Sequence, residues 1–579
     1  MSNRCAPYLL AFVTLISVSA FSQSPGTPWD SVAHSNTFGN VVQAPRASDE
    51  GKIKFRSETT LIQIPVVVTD KSGNHIHGLT KENFRVLENG KEQKISTFEE
   101  KIATNAKIFP SSAQPGQFSN LAISEQQPRT VTVIAIDTVN TPYLDQTIGR
   151  RALIKYLADH LDTSQLLALM IITTHGVEVV QGLSGDPERL LQVLKKVSGE
   201  LPVNQGTPID QLTNPTVTGI LSPATPAASV DTSFAAVEAF INDSESESAQ
   251  FLQARAIEIT LSALRDIAWS LSGVPGRKAL IWATGGFPFV ISAPDVVPGG
   301  NLSPLYERTV QALTDGQISV YPVDVRGLFD PTGMGQASVP SAPSVGQMNN
   351  RMWLKQSTIQ TLSEFAEMTG GKAFYNTNDL SGSFKRAAED SSSYYLVGYY
   401  LDTKNNRAGW RSLKVGVDRK DTEVRARKGF FVTNATVQPD LSRTSELGAA
   451  LASPIESTGI PVTLKWLGVS GEGDKKKASY QIEIPANGVT IEGGDPSRLN
   501  FDIAVAAYRE HSKEGKPVVT QGQTVDTAIT PQQVASLRAN GITINRNLEI
   551  GSGQYSVRLV VRDSATGKIG SVTAPLTVN

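Results

Sequence analysis

The sequence predicts an α/β domain with a mostly parallel, doubly wound sheet and one antiparallel edge strand, flanked by all-β sandwich domains. Between residues 128 and 390, near-continuous apolar segments such as "TVTVIAID" alternate with helical ones such as "LDQTIGRRALIKYLADHL". Strands that are apolar throughout are typical of a parallel sheet covered by helices on both faces. "LLALMIITT" and "VEVVQGL" are joined by His175-Gly176 alone, which permits only an antiparallel pairing. Strand-like patterns without helices before and after this region predict the β domains.

The N-terminus has the composition of an export signal. Arg4 precedes the apolar run "PYLLAFVTLISVSA", and Val18-Ser19-Ala20 resembles a cleavage site, so residues 1–20 are a predicted signal peptide. An uncleaved anchor is the alternative, but the run is short for a membrane span. We therefore expect an exported protein, periplasmic or secreted, with no membrane span after signal removal. The single cysteine would leave with the signal, which excludes disulfides in the mature chain.

The charge balance excludes one class of partner. Lysine and arginine total 53 against 55 aspartates and glutamates, and we find no basic stripe. A nucleic-acid surface needs a basic excess, so no nucleic-acid partner is expected.

Residues 21–52 are polar and lack periodicity, which predicts a flexible lead-in. Residues 53–100 are β-rich and contain Asn89-Gly90 between two strand-like segments, a strong hairpin signal. A segment of this length is too short to form a stable hydrophobic core alone. Strand patterns return in residues 391–433, and we expect the two segments to form one β-sandwich into which the α/β domain is inserted.

The α/β domain is predicted to follow a polar linker at residues 109–128. It includes a surface insertion at 199–246, rich in Thr, Pro, Ser and Ala, and an amphipathic helix at about 248–272. Residues 459–579 are predicted to form a separate immunoglobulin-like β-sandwich. In that region Tyr555, just before an alternating strand, resembles a tyrosine corner.

Several separated blocks of sequence resemble one family. "VVVTDKSGNHIHGLTKENFRVLENG", "AIDTVNT", "ISVYPVDVRGL" and "SYYLVGYY" are similar to the von Willebrand factor type A domain, and in particular to the related proteins found in acidobacteria. The resemblance covers roughly residues 55–432 and excludes the C-terminal sandwich. It implies the α/β fold described above and a metal-dependent adhesion site at the carboxyl ends of the strands.

The resemblance implies a degenerate form of that site. In the family, an Asp-x-Ser-x-Ser turn, a threonine and a later aspartate hold a divalent cation such as Mg²⁺. Mg²⁺ prefers oxygen ligands, which these side chains supply. Here Asp137 and Thr141 match, Val139 replaces the middle serine, and Thr284 stands where the later aspartate is expected. The candidate ligands for Mg²⁺ or another divalent cation are Asp137, Asn140, Thr141, Thr260 and Asp324.

A structural interpretation of the same residues stays open. Asp137, Asn140 and Thr141 have the residue types that cap backbone amides in a turn and at a helix start. Two interpretations also stay open for the aromatic residues Trp282, Phe287 and Phe289. They form an exposed recognition loop at the carboxyl ends of the strands, or they pack beneath the helices there.

Other motifs do not indicate catalysis. His75 and His77 lack a third ligand at metal spacing and are interpreted as an exposed pair near a turn. "TGGK" at 369–372 lacks the phosphate-loop frame and is interpreted as the glycine cap of a helix. The sequence therefore predicts a non-enzymatic, adhesion-type protein that binds a protein or extracellular polymer. The alternative is a structural scaffold or assembly subunit of the cell envelope.

Overall fold

The computed structural model describes residues 61–102, 116–120, 130–159, 165–196, 232–287, 289, 302–328, 358–401, 409–432, 440–453, 455–471, 473–492, 496–510 and 516–579. All of them belong to one compact unit, Asp49–Asn579. The predicted signal peptide, the predicted lead-in and residues 199–231 of the predicted insertion lie outside the described residues.

A five-stranded sheet forms the centre of the α/β segment. Its order is β10–β9–β6–β7–β8, and every neighbouring pair is parallel except β7 with β8, which is antiparallel at one edge. The four parallel strands are buried along their whole length, which explains their continuous apolar sequences. The five strands are β6 (Val131–Asp137), β7 (Leu166–Thr173), β8 (Gly176–Ser184), β9 (Lys278–Thr284) and β10 (Ile318–Asp324).

Helices cover both faces of this sheet. Alternate residues of β6 point to opposite sides, with Val133 packing among α3, α4 and α5, and Ile134 among α1, α2 and α6. The helices are α1 (Tyr143–Asp159), α2 (Pro187–Lys196), α3 (Thr232–Leu271), α4 (Ser303–Asp315), α5 (358–369) and α6 (Leu380–Glu389).

Helix α3 begins earlier than the sequence predicts. It starts at Thr232, so residues 232–246, expected within the surface insertion, are helical. Residues 232–246 contain neither proline nor glycine, the two residues that most disfavour a helix interior, so nothing in this stretch interrupts the helix.

Strands from before and after the α/β segment pair directly. One sheet has the order β13–β1–β11–β4 and the other β14–β12–β2–β3. Leu61 pairs with Tyr400, and Glu88 pairs with Leu413. The facing side chains of the two sheets form one apolar core. The strands are β1 (Leu61–Asp70), β2 (Phe84–Glu88), β3 (Lys91–Gln93), β4 (Thr97–Ile102), β11 (Ser393–Tyr400), β12 (Gly409–Val417), β13 (Thr422–Arg425) and β14 (Gly429–Val432).

The predicted hairpin at Asn89-Gly90 is confirmed. Strands β2 and β3 pair across these two residues, whose φ angles are +47° and +79°. Positive φ at both central positions defines a type I′ turn, for which Asn-Gly is the preferred dipeptide.

Two further sheets enclose a second core in the C-terminal part. Helices α7 (Asp440–Ala452) and α8 (Pro531–Asn540) accompany them. The sheets have the orders β20–β16–β15–β5 and β17–β18–β21–β22, with β19 also paired to β18. The strands are β15 (Thr463–Ser470), β16 (Lys476–Ile484), β17 (Ile491–Glu492), β18 (Ser497–Arg509), β19 (Val519–Ile529), β20 (Ile542–Ile550), β21 (Gly553–Asp563), β22 (Ile569–Val578) and, from far earlier in the chain, β5 (Gln117–Ser119).

The chain is therefore mixed α/β with several antiparallel sheets, as the sequence predicts. Strand β5 corrects one expectation, because residues 117–119 lie in the segment predicted as a linker. Phe118 packs against the C-terminal core, and this apolar contact explains why the short segment pairs with β15. Within the described part of the chain, no helix has the length and apolarity that crossing a membrane requires.

Candidate functional site

Asp137 lies at the carboxyl end of β6, between the ends of β7 and β9. Its side chain is fully buried. In sheets of this kind, ligands bind at the carboxyl ends of the strands, so the position is the one that the sequence indicates for a site.

Five donors point at the Asp137 carboxylate. Oδ1 accepts from the backbone N–H groups of Val139 and Asn140, each at 3.0 Å. Oδ2 accepts from Asn140 Nδ2 at 2.8 Å, Thr284 Oγ1 at 2.9 Å and Trp282 Nε1 at 3.1 Å. Burial raises the pKa of Asp137, and the hydrogen bonds from Asn140, Thr284 and Trp282 oppose that rise because they stabilise the ionised form.

Asn140 connects the strand end to helix α3. Its Nδ2 also donates to Thr260 Oγ1 at 2.8 Å. The Thr260 hydroxyl itself donates to the carbonyl of Ala256, one turn earlier in α3, so its remaining lone pair faces Asn140. Thr260 therefore lies inside a helix rather than on a loop, and it still reaches the site.

The other two predicted ligands have different partners. Thr141 Oγ1 accepts from the backbone N–H of Gly285 at 2.8 Å, which ties the turn after β6 to the turn after β9. Asp324 ends β10, and its two oxygens accept from Arg326 Nε at 2.9 Å and Nη2 at 3.0 Å. The structure thus brings Asp137, Asn140 and Thr260 together and gives Thr141 and Asp324 other roles.

These residues do not fit a divalent cation. An ionised carboxylate offers about four lone-pair positions, and four N–H groups of Val139, Asn140 and Trp282 already point at Asp137. Val139, which replaces a serine of the family pattern, packs in the apolar core and offers no oxygen. Among the described residues, no group of three or more His, Cys, Asp or Glu side chains is arranged to hold a metal ion.

The aromatic residues after β9 are buried. Trp282, Phe287 and Phe289 are each at most 1% exposed and form edge-to-face or tilted ring contacts in the core under α3–α5. These three side chains therefore pack beneath the rim, which is the second of the two alternatives that the sequence leaves open. Sequence reasoning missed the donor role of Trp282, although its position two residues before Thr284 on the same strand face was a usable signal.

A different set of apolar side chains is exposed at this end of the sheet. Tyr143 is 50% exposed and Leu144 76% exposed at the start of α1, directly after the Asp137 turn. Leu328 is 58% exposed after β10, and Tyr375 is 41% exposed in the segment beside it. We call the turns 138–144, 284–287, 325–328 and 375–379 the strand-end rim.

Contacts join these turns. The hydrogen bond between Thr141 and Gly285 links the first two, and the backbone N–H of Leu328 donates to Asn378 Oδ1 at 3.1 Å. A Cβ on Gly286 would lie 3.6 Å from an Arg326 guanidinium nitrogen, which brings the second turn beside the third. The rim is therefore one connected surface.

Two motifs of the sequence are accounted for structurally. Gly370 has φ +80° directly after α5, and the N–H of Gly371 donates to the carbonyl of Ala366, so "TGGK" ends a helix as predicted. His77 Nδ1 lies 2.9 Å from Glu100 Oε1, and His75 Nε2 lies 3.2 Å from the carbonyl oxygen of Glu389.

Comparison with known proteins does not assign a family. No family model and no curated protein matches the chain. The pilus adhesin SpaC from Lactobacillus rhamnosus GG, in its open conformation, matches with 9% identity and a TM-score of 0.26 over 86% of this chain and 56% of that one. The chain thus spans about half of that adhesin.

Two other solved structures are similarly distant. The N-terminal domain of TFIIH p34 matches with 12% identity and a TM-score of 0.18, over 45% of this chain and 96% of that one. A beta-glucosidase from Kluyveromyces marxianus, in complex with glucose, matches with 12% identity and a TM-score of 0.13, over 54% and 33% of the two chains.

Proposed function

We propose that the chain is an exported, non-enzymatic binding protein of the adhesion type. Its von Willebrand A-like domain, residues 128–390, engages a protein or extracellular polymer through the strand-end rim. Three parallel strand pairs, one antiparallel edge strand and an aspartate ending the central strand support the assignment of this domain.

The exposed apolar side chains of the rim carry the proposal. Tyr143 and Leu144 at the start of α1, and Leu328 and Tyr375 after β10 and beside it, all lie at one end of one sheet, each more than 40% exposed. Covering apolar surface is favourable by about 25 cal/mol per Å², so such residues gain stability when a partner buries them. Aromatic residues at the centre of an interface often contribute most of the binding free energy.

Arg326 adds a directional contact to the same surface. Its guanidinium is held by Asp324, and the Arg326 side chain as a whole is 23% exposed, so a pre-positioned arginine borders the surface. Arginine held in this way loses little side-chain entropy on binding, and arginine is enriched at protein interfaces. A protein partner with a carboxylate flanked by apolar groups fits this combination best.

The test uses capture from a cell-envelope extract by the purified protein, with bound partners identified by mass spectrometry. The rim variant Leu144→Ser with Leu328→Ser is compared with Leu467→Ser with Val469→Ser, which alters two exposed apolar residues of the C-terminal part. We expect the rim variant to bind the identified partner at least about tenfold more weakly, the effect of about 1.4 kcal/mol. The control variant should bind like the wild type.

Equal capture by the wild type and the rim variant would contradict the proposal. It would favour the alternative function, a structural scaffold or assembly subunit of the cell envelope, which needs neither the rim nor a metal. Circular dichroism of both variants checks that each remains folded.

A further inference from the structure

The side-chain amide of Asn140 joins two oxygens that otherwise have the character of cation ligands. Its Nδ2 lies 2.8 Å from Asp137 Oδ2 and 2.8 Å from Thr260 Oγ1. A primary amide has two N–H donors, and these two contacts use both. All three side chains are at least 92% buried, so the contacts are shielded from water.

The remaining positions around Asp137 are also taken. Trp282 has a single N–H and directs it at Oδ2, while the backbone N–H groups of Val139 and Asn140 cover Oδ1. A carboxylate buried without a counter-charge is costly unless hydrogen bonds satisfy it. Here every one of those hydrogen bonds comes from the chain itself.

We infer that Asn140 is a built-in replacement for a divalent cation. It provides the positive end of a dipole between Asp137 and Thr260, and it closes the strand-end site to metal ions. The turn after β6 is therefore held to α3 by hydrogen bonds alone, and the shape of the rim does not depend on Mg²⁺ or Ca²⁺. The closed site exists whether or not the rim binds a partner.

The substitution Asn140→Asp tests this role, because it keeps the size of the side chain and replaces the donating nitrogen by an oxygen. Two carboxylates then face each other at the former 2.8 Å contact and repel. Melting temperatures of the purified wild type and variant are measured at neutral pH in EDTA, in Mg²⁺ and in Ca²⁺. Each cation is used at about 10 mM, a concentration above the Kd of weak extracellular Ca²⁺ sites.

We expect the wild type to melt at the same temperature in all three solutions. The variant should melt lower in EDTA and recover when a divalent cation is added, since the cation then supplies the charge that the amide dipole had replaced. Stabilisation of the wild type by Mg²⁺ or Ca²⁺ that is lost in Asp137→Asn would overturn the inference. So would an Asn140→Asp protein that is as stable in EDTA as the wild type.

A second variant keeps the inference testable if Asn140→Asp does not fold. Thr260→Val preserves the shape of the threonine and removes the oxygen that accepts from Asn140. It should lower the melting temperature without creating any response to divalent cations, and an unchanged melting temperature would count against the bridge. These measurements use the free protein, so their outcome is independent of the capture experiment.

Discussion

The side chain of Asn120 forms a hydrogen bond with the backbone of Val462. Its Oδ1 accepts from the backbone N–H of Val462 at 2.9 Å, and its Nδ2 donates to the carbonyls of Ser457 at 2.7 Å and Ile460 at 2.8 Å. Asn120 directly follows β5 and is buried. A residue from the segment before the α/β sheet thus fastens the point where the chain enters the C-terminal sheets.

Replacing Asn120 by alanine should destabilise the C-terminal part. The change leaves the N–H of Val462 and two carbonyls buried without their partner, and we expect a loss of about 3 kcal/mol in the free energy of unfolding. Urea denaturation measures it, followed by tryptophan fluorescence, to which Trp466 of β15 contributes as one of six tryptophans. Asn547→Ala removes an exposed hydrogen bond to Ser479 and should change stability by less than about 0.5 kcal/mol. Equal effects of the two substitutions would contradict the role of Asn120.

Tyr555 should contribute to stability through its hydroxyl. The phenol donates to the carbonyl of Gly551 at 3.0 Å, the backbone contact just upstream that a tyrosine corner makes. We expect Tyr555→Phe to lower the free energy of unfolding by about 1 kcal/mol while the ring remains packed. Tyr400→Phe, at a tyrosine that is 51% exposed, is the control for chemical denaturation. A Tyr555→Phe protein as stable as the control would show that the hydroxyl contributes nothing.

Gly371 should not tolerate a side chain. A Cβ at this position would lie 2.0 Å from the carbonyl oxygen of Val320 in β10, and backbone atoms cannot move aside cheaply. Gly371→Ala is therefore expected to cost about 3 kcal/mol or more, at the upper end of overpacking effects. Gly416→Ala in β12, where a Cβ meets nothing within 4 Å, should be nearly neutral. Thermal unfolding of both variants decides, and similar melting temperatures would refute the prediction.

Lys278 should make stability depend on pH. The side chain is buried at the start of β9 and donates to the carbonyls of Val274 and Gly276. Burial lowers its pKa from 10.5 to about 7. Between these two pH values the unfolded chain holds a proton that the folded chain has lost, so the free energy of unfolding rises with pH.

The substitution Lys278→Met removes this titration. The stability of the wild type minus that of the variant should increase by up to about 1.4 kcal/mol per pH unit above pH ~7 and should be constant below it. Urea titrations at pH 6, 7, 8 and 9 measure the difference. Parallel pH profiles for the two proteins would show that Lys278 is not desolvated in the folded state.

Local sequence signals predicted the features that depend on neighbouring residues. Asn89-Gly90 forms the expected turn because asparagine and glycine both tolerate the positive φ angles that the turn requires. Asp137 ends a strand where the apolar run stops, and Gly370 ends a helix where the pattern predicts a cap.

Features that depend on distant residues were not predictable in the same way. The burial of Phe287 and Phe289 follows from the position of α3–α5, which the sequence around them does not encode. Strand β5 forms because β15, far along the chain, presents an edge to it. The contact between Asn140 and Thr260 likewise needs the register of α3 against β6, and α3 begins earlier than its periodicity indicated.

The pairing of β1 with β11 and β13 has a consequence for synthesis. At about 5–20 residues per second, β1 leaves the ribosome roughly 15–70 s before its partners, as an apolar segment with two open edges. The central sheet needs only residues 131–324 for its strands, so it is able to close first. Tyr394 of β11 then contacts Arg277 at the base of that sheet, which holds β11 near it. β1 therefore has to find a partner strand that is already fixed in place. Early assembly of the centre would therefore shorten only the search that follows the synthesis of β11, while the wait for β11 is fixed by the elongation rate.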